Sequence, residues 1–453
     1  MSLIPATARG PRPGPATPGE PVWLMRAPRP AGEGTPMSAL WWLHPAMAVL
    51  VVLLLYATFP TFDYARVVPQ TYLPGWHYAW GACLLLALAS AAWAVAGQDR
   101  GDAPLQHLAH TVPAWATALL LVLTLFAYGF WFAPLAANPQ MLGDAIASGQ
   151  GNVRNSISTT PGVTTMTQFG VAYVIGYAIR VGSQAQRVRL WEHLGLAAVL
   201  AAAVIRSFAW GERLAVIELV VCGSVAAFAF RRLRGARARR LATLLPLFVP
   251  PLALVAFAGT EYFRSWSHYS REYDSLWQFS FDRLLSYYAT ASNNGIGLLV
   301  ENHNWPQYSG RYIAQWLYLM PVVGEAAQRA FGDVGSQYQA FLMQHARPEL
   351  NNQSGLFQVV FDIGYIGSML YFLALGLVFG RLWLGWRRRE LGGLLFYPPC
   401  VLCIVELLRI NYLATTRFFP AALGLLLIYV AARSVPAAWP RGVPVPPPPE
   451  GAR

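Results

Sequence analysis

Arginines and glutamates recur at places where this chain otherwise carries almost no charge. Arg206, Glu212, Arg213 and Glu218 surround one short turn, Glu406, Arg409 and Arg417 surround a second, and Glu261 and Arg264 close a third apolar run. Charge beside or inside apolar segments is costly and marks functional sites by default. Several guanidinium groups converging at one level would grip a doubly charged anion such as a diphosphate, because the planar fork matches phosphate oxygens in bidentate fashion. The same residues can instead glue helices together as internal ion pairs, Glu212 with Arg206 across the turn and Glu406 with Arg409 along one helix face. Arginine outnumbers acid at this depth, which favours the anion site for the set. A second group is aromatic: Trp266, Tyr269, Tyr273, Trp277, Trp305, Tyr308, Tyr312 and Trp316. Singly, such rings suit an interfacial belt. Beside buried charge, they suit stacking on sugar rings.

The elements that must position these residues follow from composition. Of 453 residues, 55% are apolar and only 12% charged, about half the ~25% charge of a soluble domain. The apolar residues form runs of roughly 20, the length of a membrane-crossing helix, without the alternation of barrel strands. The expected spans are 39–60, 78–96, 113–134, 166–182, 194–210, 212–230, 241–258, 355–380, 391–410 and 418–434. The fold class is therefore an all-α polytopic integral membrane protein of about ten helices. Lysine is absent. Arginines crowd three short connections: Arg187 and Arg189; Arg231, Arg232, Arg234, Arg237, Arg239 and Arg240; Arg381, Arg387, Arg388 and Arg389. Ten spans place all three connections and both termini on one face, which the positive-inside rule assigns to the cytoplasm. The net charge of +12 is then a topology signal that also suits anionic lipid head groups, not nucleic acid.

The chain divides into a Pro/Gly-rich N-terminal tail (1–38), a first helical block (39–258), a large polar loop on the non-cytoplasmic side (259–354), a second helical block (355–435) and a Pro-rich tail (436–453). Within the loop, residues 281–292 read as a short amphipathic helix capped by Ser280 and closed by Asn293-Asn294-Gly295. Pro250-Pro251 and Pro398-Pro399 are candidate helix breaks. The four cysteines all fall inside expected spans, where Cys400 and Cys403 have redox spacing but an apolar, proline-flanked setting. No zinc-ligand pattern, phosphate-binding glycine loop or nucleophile elbow occurs.

Two segments carry a resemblance. GERLAVIELVV (211–221) looks like the arginine-bearing turn of Wzy-type O-antigen polymerases and the related O-antigen ligases. NNQSGLFQVVFDIGYIGSMLYF (351–372) resembles the segment with which oligosaccharide repeat-unit polymerases re-enter the membrane after their large periplasmic loop, here with Asp362, Gly364 and Gly367 in an Asp-x-Gly-x-x-Gly-like run. One departure stands out. Ligases of this kind carry a histidine in the large loop, and the nearest counterpart, His345, lies upstream of the Asn351–Gly355 segment.

The resemblance implies a GT-C-like glycosyltransferase of the bacterial inner membrane, inverting and independent of metals and other cofactors. It would join repeat units carried on undecaprenyl diphosphate at the periplasmic face, with both donor and acceptor lipid-linked and a chain-length regulator as an accessory partner. In that setting Arg206, Arg213, Arg264, Arg409 and Arg417 would hold the leaving diphosphate. Glu261, Glu212 and His345, in that order, would serve as base for the acceptor hydroxyl. Trp266, Tyr269, Tyr273 and Asn352 would contact saccharide. Ser354 and Asp362 are explained as well by helix capping and packing. Ligase-type transfer stays open as an alternative. So does a lipid-linked glycan flippase, which would show repeated halves and helices broken at mid-membrane. A non-enzymatic scaffold would leave the arginines unexplained.

Overall fold

The computed structural model describes residues 37–61, 68–73, 75–97, 111–140, 143, 160, 162–183, 187–210, 212–230, 236–320, 323–331 and 334–434, with the side chains of 263, 264 and 334 excepted. The expected tails at 1–38 and 436–453 lie outside these residues, apart from Met37 and Ser38. Arg231, Arg232 and Arg234 lie outside them too. Among the described residues the secondary structure is helical throughout.

A helix lies over each of the ten apolar windows: α1 (Pro45–Thr58), α2 (Trp76–Ala96), α3 (Ala114–Ala137), α4 (Phe169–Ser183), α5 (Leu190–Trp210), α6 (Leu214–Phe228), α7 (Ala236–Glu261), α11 (Gly355–Arg388), α12 (Leu391–Glu406) and α13 (Phe418–Ser434). Between α7 and α11 come α8 (Leu276–Glu301), α9 (Val323–Phe331) and α10 (Val334–His345). Five helices, α2, α3, α5, α7 and α11, are long and apolar enough to cross a membrane. Their outward surfaces carry large apolar side chains, with Leu247, Leu252 and Ile366 respectively 69%, 68% and 79% exposed. Water would not tolerate so continuous an apolar surface, whereas hydrocarbon does.

The core forms where small residues let backbones meet. α11 packs most extensively on α2, then on α12. At the α2 contact, a Cβ on Gly376 would come within 2.5 Å of Leu88 O, and one on Gly380 within 2.8 Å of Ala92 O. This four-residue spacing of glycines is a recurrent way for membrane helices to approach closely. A second group joins α4 to α6, α13 and α3, and α6 to α12. α7 stands at the edge, touching α8 and the 3-10 turn Met37–Leu43. Both α7 and α12 run unbroken through their prolines, so the expected breaks there do not occur.

The break lies elsewhere. Gly364 adopts φ +73°, a conformation L side chains rarely adopt, and divides α11 nine residues from its start. The carbonyls freed on Phe361 and Asp362 accept from the backbone N–H groups of Gln307 and Tyr308, at 3.1 and 2.7 Å. The fully buried Asp362 carboxylate then accepts from the N–H groups of Ser309, Gly310 and Tyr312 and from Ser309 Oγ, at 2.9–3.1 Å. Asp362 is thus an anchor that ties residues 305–312 onto α11, the packing alternative named for it above.

The long connection is also more ordered than its polarity suggests. The expected short helix is instead 26 residues, and its cap is not Ser280 but Ser275, which accepts from Gln278 N–H. Asn293-Asn294-Gly295 does not end it. Asn293 and Asn294 are buried and spend their amides on Gln70 O, Leu350 O and Asn352 O, while a Cβ on Gly295 would meet Gln353 O at 2.5 Å. Tertiary contacts override the local stop signal, because these residues fasten α8 to the chain entering α11.

Candidate functional site

The helix ends sort into two sets. The C-terminal ends of α5, α7 and α12 and the N-terminal ends of α6, α11 and α13 lie at one end of the bundle, joined by the ion pairs of Arg206 with Glu212, Arg213 with Glu261 and Arg417 with Glu212 and by the bond from Gly355 N–H to Leu407 O. The candidate arginines and glutamates collect there in two clusters.

The first cluster ties α5, α6 and α13 together. Arg417, at the start of α13, forks onto the 1%-exposed Glu218, Nε to Oε1 at 2.6 Å and Nη2 to Oε2 at 2.7 Å, and also pairs with Glu212. Arg206 reaches Glu212 from the other side, Nε to Oε2 at 2.9 Å, donates to Thr167 Oγ1 and lies 4.3 Å above the Trp131 ring. With its amide turned to suit, the buried Gln168 donates to Glu218 and accepts from Arg417, both at 2.9 Å. Glu212 is the open member: its side chain is 33% exposed, against 5% for Arg206 and 14% for Arg417.

The second cluster centres on Glu261, which is fully buried, accepts from Arg213 and Ser265, and forms an ion pair with Arg283 at 3.4 Å. Arg213 lies 3.9 Å above the Phe257 ring. Arg283 continues to Glu349 at 3.0 Å, and Tyr269 donates to the same carboxylate. Burial pushes the Glu349 carboxyl up, but the hydrogen bond and charge of Arg283, followed by Tyr269 and Arg347, pull it down further, so it ends below its usual range. Arg409 pairs with Glu406 at 2.7 Å, as the three-residue spacing led one to expect.

These contacts show how far the arginines are already engaged. Among the described side chains, Arg206, Arg213, Arg283, Arg409 and Arg417 are matched by Glu212, Glu218, Glu261, Glu349 and Glu406. Each of these five guanidinium groups holds a carboxylate, so an anion that binds one of them must compete with that carboxylate. Glu261, with its oxygens held by two arginines and a serine, is poorly placed to take a proton.

The remaining candidates separate. Arg264 lies in the π-helical turn Tyr262–Trp266 with its side chain outside the described residues. Trp266, Tyr269 and Tyr273 gather around the buried Phe279, with centroids 5.7, 5.2 and 5.2 Å from it. All three stay partly exposed, and Arg283 lies 5.0 Å from the Tyr269 ring. His345 ends α10 stacked on Phe341, 5.6 Å between centroids. Cys222, Cys400 and Cys403 are buried free thiols. Among the described residues, no three His, Cys, Asp or Glu side chains are grouped to hold a metal.

Asn352 does line a cavity, of about 270 Å³. Its walls come from four separate segments: Arg311–Gln315, the first turns of α10, Asn351–Gln358 and Ile410–Thr415. The last is the turn whose two flanks carry Arg409 and Arg417. Sequence reasoning missed this pocket, and it missed Arg283 and Glu349, because the partners come together only through the folded connection. No family model matches this chain, and no curated protein or solved structure matches it either.

Proposed function

We propose that the chain is a membrane glycosyltransferase that polymerises undecaprenyl-diphosphate-linked oligosaccharide repeat units at the periplasmic face of the inner membrane. The observation that carries this reading is the meeting of ordered arginines at one end of an apolar helix bundle, beneath a polar connection that also encloses a cavity. A lipid-linked diphosphate is the substrate class that needs all three: hydrocarbon for its tail, guanidinium groups for its head and a polar recess for its sugar. The two segments resembling repeat-unit polymerases fall in this same region, one at the start of α6 and one entering α11.

In the reaction, the acceptor hydroxyl attacks the anomeric carbon from the face opposite the diphosphate. The new glycosidic C–O bond forms as the C1–O bond to phosphate breaks, which inverts the centre. Negative charge develops on the departing diphosphate, where pre-ordered arginines stabilise it without reorganising. Arg417 and Arg206 are the pair best suited, because the carboxylate between them, Glu212, is the most exposed acid of its cluster. A diphosphate competes with Glu212 for both, and the displaced carboxylate, the most exposed acid of its cluster, takes the acceptor's proton. Arg213, held by Glu261, and Arg409, held by Glu406, extend the same basic rim.

A transporter reading draws on one observation, the break at Gly364. Its freed backbone groups are taken by Gln307 and Tyr308, whereas transporter breaks expose theirs to a substrate cavity. The test is to incubate the purified chain with a lipid-linked repeat unit and resolve the products on a gel. A ladder of longer lipid-linked chains is expected. A single unchanged band from protein that is folded and membrane-inserted would overturn the proposal.

A further inference from the structure

We infer that the cavity beside the Asn411–Thr415 turn is a subsite for one uncharged sugar ring. The inference rests on the transferase reading and narrows its substrate class. Seven of the fourteen residues around the cavity are Asn or Gln, and none is Asp or Glu. A carboxamide offers two N–H donors and a carbonyl acceptor side by side. Vicinal hydroxyls on a pyranose ask for that combination, since each hydroxyl both donates and accepts.

The amides are held from behind. Gln358 Oε1 accepts from Asn411 N–H at 2.9 Å, and Asn411 Nδ2 reaches Tyr312 O and Tyr371 Oη at 3.3 Å. Gln353 is 2% exposed, and its Nε2 has no acceptor among the described residues. Tyr338, stacked 6.2 Å from Phe341 and donating to Asn351 O, supplies an aromatic wall. The one charged lining group, Arg311, lies 5.6 Å above the Tyr318 ring, with a Cβ on Gly335 only 2.5 Å from its Nη2. It is packed into the wall and faces a lining that is otherwise neutral. Arg311 is thus engaged on the wall, which leaves the amides to receive the ligand. At about 270 Å³ the cavity falls just below the ~300–1,000 Å³ of drug-sized sites, which suits a ring and not a chain.

The test uses the full chain in detergent and saturation-transfer NMR. The probes are the methyl glycosides of glucose, galactose, mannose and N-acetylglucosamine, against the methyl glycosides of glucuronic and galacturonic acid. Saturation of one or more neutral probes is expected, and none of the uronates. Asn352→Leu and Gln315→Leu should each weaken the signal roughly fivefold, about one neutral hydrogen bond. Asn352→Asp, which keeps the size of the side chain, should weaken it too. Glu301→Gln, outside the cavity, should leave it intact. Absence of every neutral signal, equal signals from the uronates, or signals unchanged in the three cavity variants would overturn the assignment. Ladders without sugar binding would sink the subsite and leave the transferase; sugar binding without ladders would do the reverse.

Discussion

Replacing Arg417 separates a structural ion pair from a catalytic one. The guanidinium forks onto Glu218 at 2.6 and 2.7 Å, and the two side chains are 14% and 2% exposed. Arg417→Met leaves Glu218 buried with the Gln168 amide as its remaining described partner. Orphaning one member of such a pair typically costs about 3–5 kcal/mol. Glu212 suffers less, because Arg206 still holds it. Arg417→Lys keeps the charge but not the fork, so it should fall between parent and Arg417→Met. The double variant Arg417→Met, Glu218→Gln removes the charge left behind and should recover most of the loss. The assay is the folded fraction after graded heating, read by fluorescence-detected size-exclusion in detergent. Ladder formation is then normalised to that fraction. If Arg417 also grips the diphosphate, the double variant is well folded yet roughly a hundredfold slower, the value of one donor aimed at developing charge. A single variant as stable as the parent would refute the structural argument. A double variant that polymerises normally would show Arg417 to be helix glue.

Other outcomes follow from the same contacts. Asp362→Ala orphans four donors at the break in α11 and should destabilise the protein by about 3 kcal/mol or more, with Asp362→Asn milder; limited proteolysis within 302–314 reports it. Glu349, held below its usual range, contributes stability that is complete above its unfolded value of about 4.5 and is lost as pH falls through the lower folded value. Hydrogen exchange in α8 should therefore rise on acidification below that pH, and Glu349→Gln should flatten the profile; an identical profile in the variant would remove Glu349 from the account. A reporter active only outside the cytoplasm should work when fused after Asn302 and fail after Gly235 or Glu390. The reverse at any one position breaks the ten-span topology.

The helices were legible because hydrophobic length survives any rearrangement of neighbours, and each apolar window holds a helix. The Gly376–Gly380 contact was legible in principle from its spacing. The two arginine clusters were legible as a set and in their local pairs, Arg206 with Glu212 and Arg409 with Glu406, but not in their long-range pairs. Arg213 finds Glu261 across 48 residues and Arg417 finds Glu218 across 199. Arg283 was hidden in a segment read as a surface helix. The gathering of Trp266, Tyr269 and Tyr273 on Phe279 was hidden, because nothing local shows the chain folding back there. Asn293-Asn294-Gly295 misled for the converse reason: its stop signal is real in isolation, and the packing of α8 against residues 350–357 outweighs it.

The central claim is that a glycosidic bond forms as a lipid diphosphate leaves. Proteoliposomes holding the purified chain and a repeat unit carried on ³²P-labelled undecaprenyl diphosphate test it directly. The account predicts free labelled undecaprenyl diphosphate accumulating in step with new linkages, one released for each bond made. Label that stays on intact lipid-linked units while moving to the other leaflet would contradict the account and make the chain a transporter.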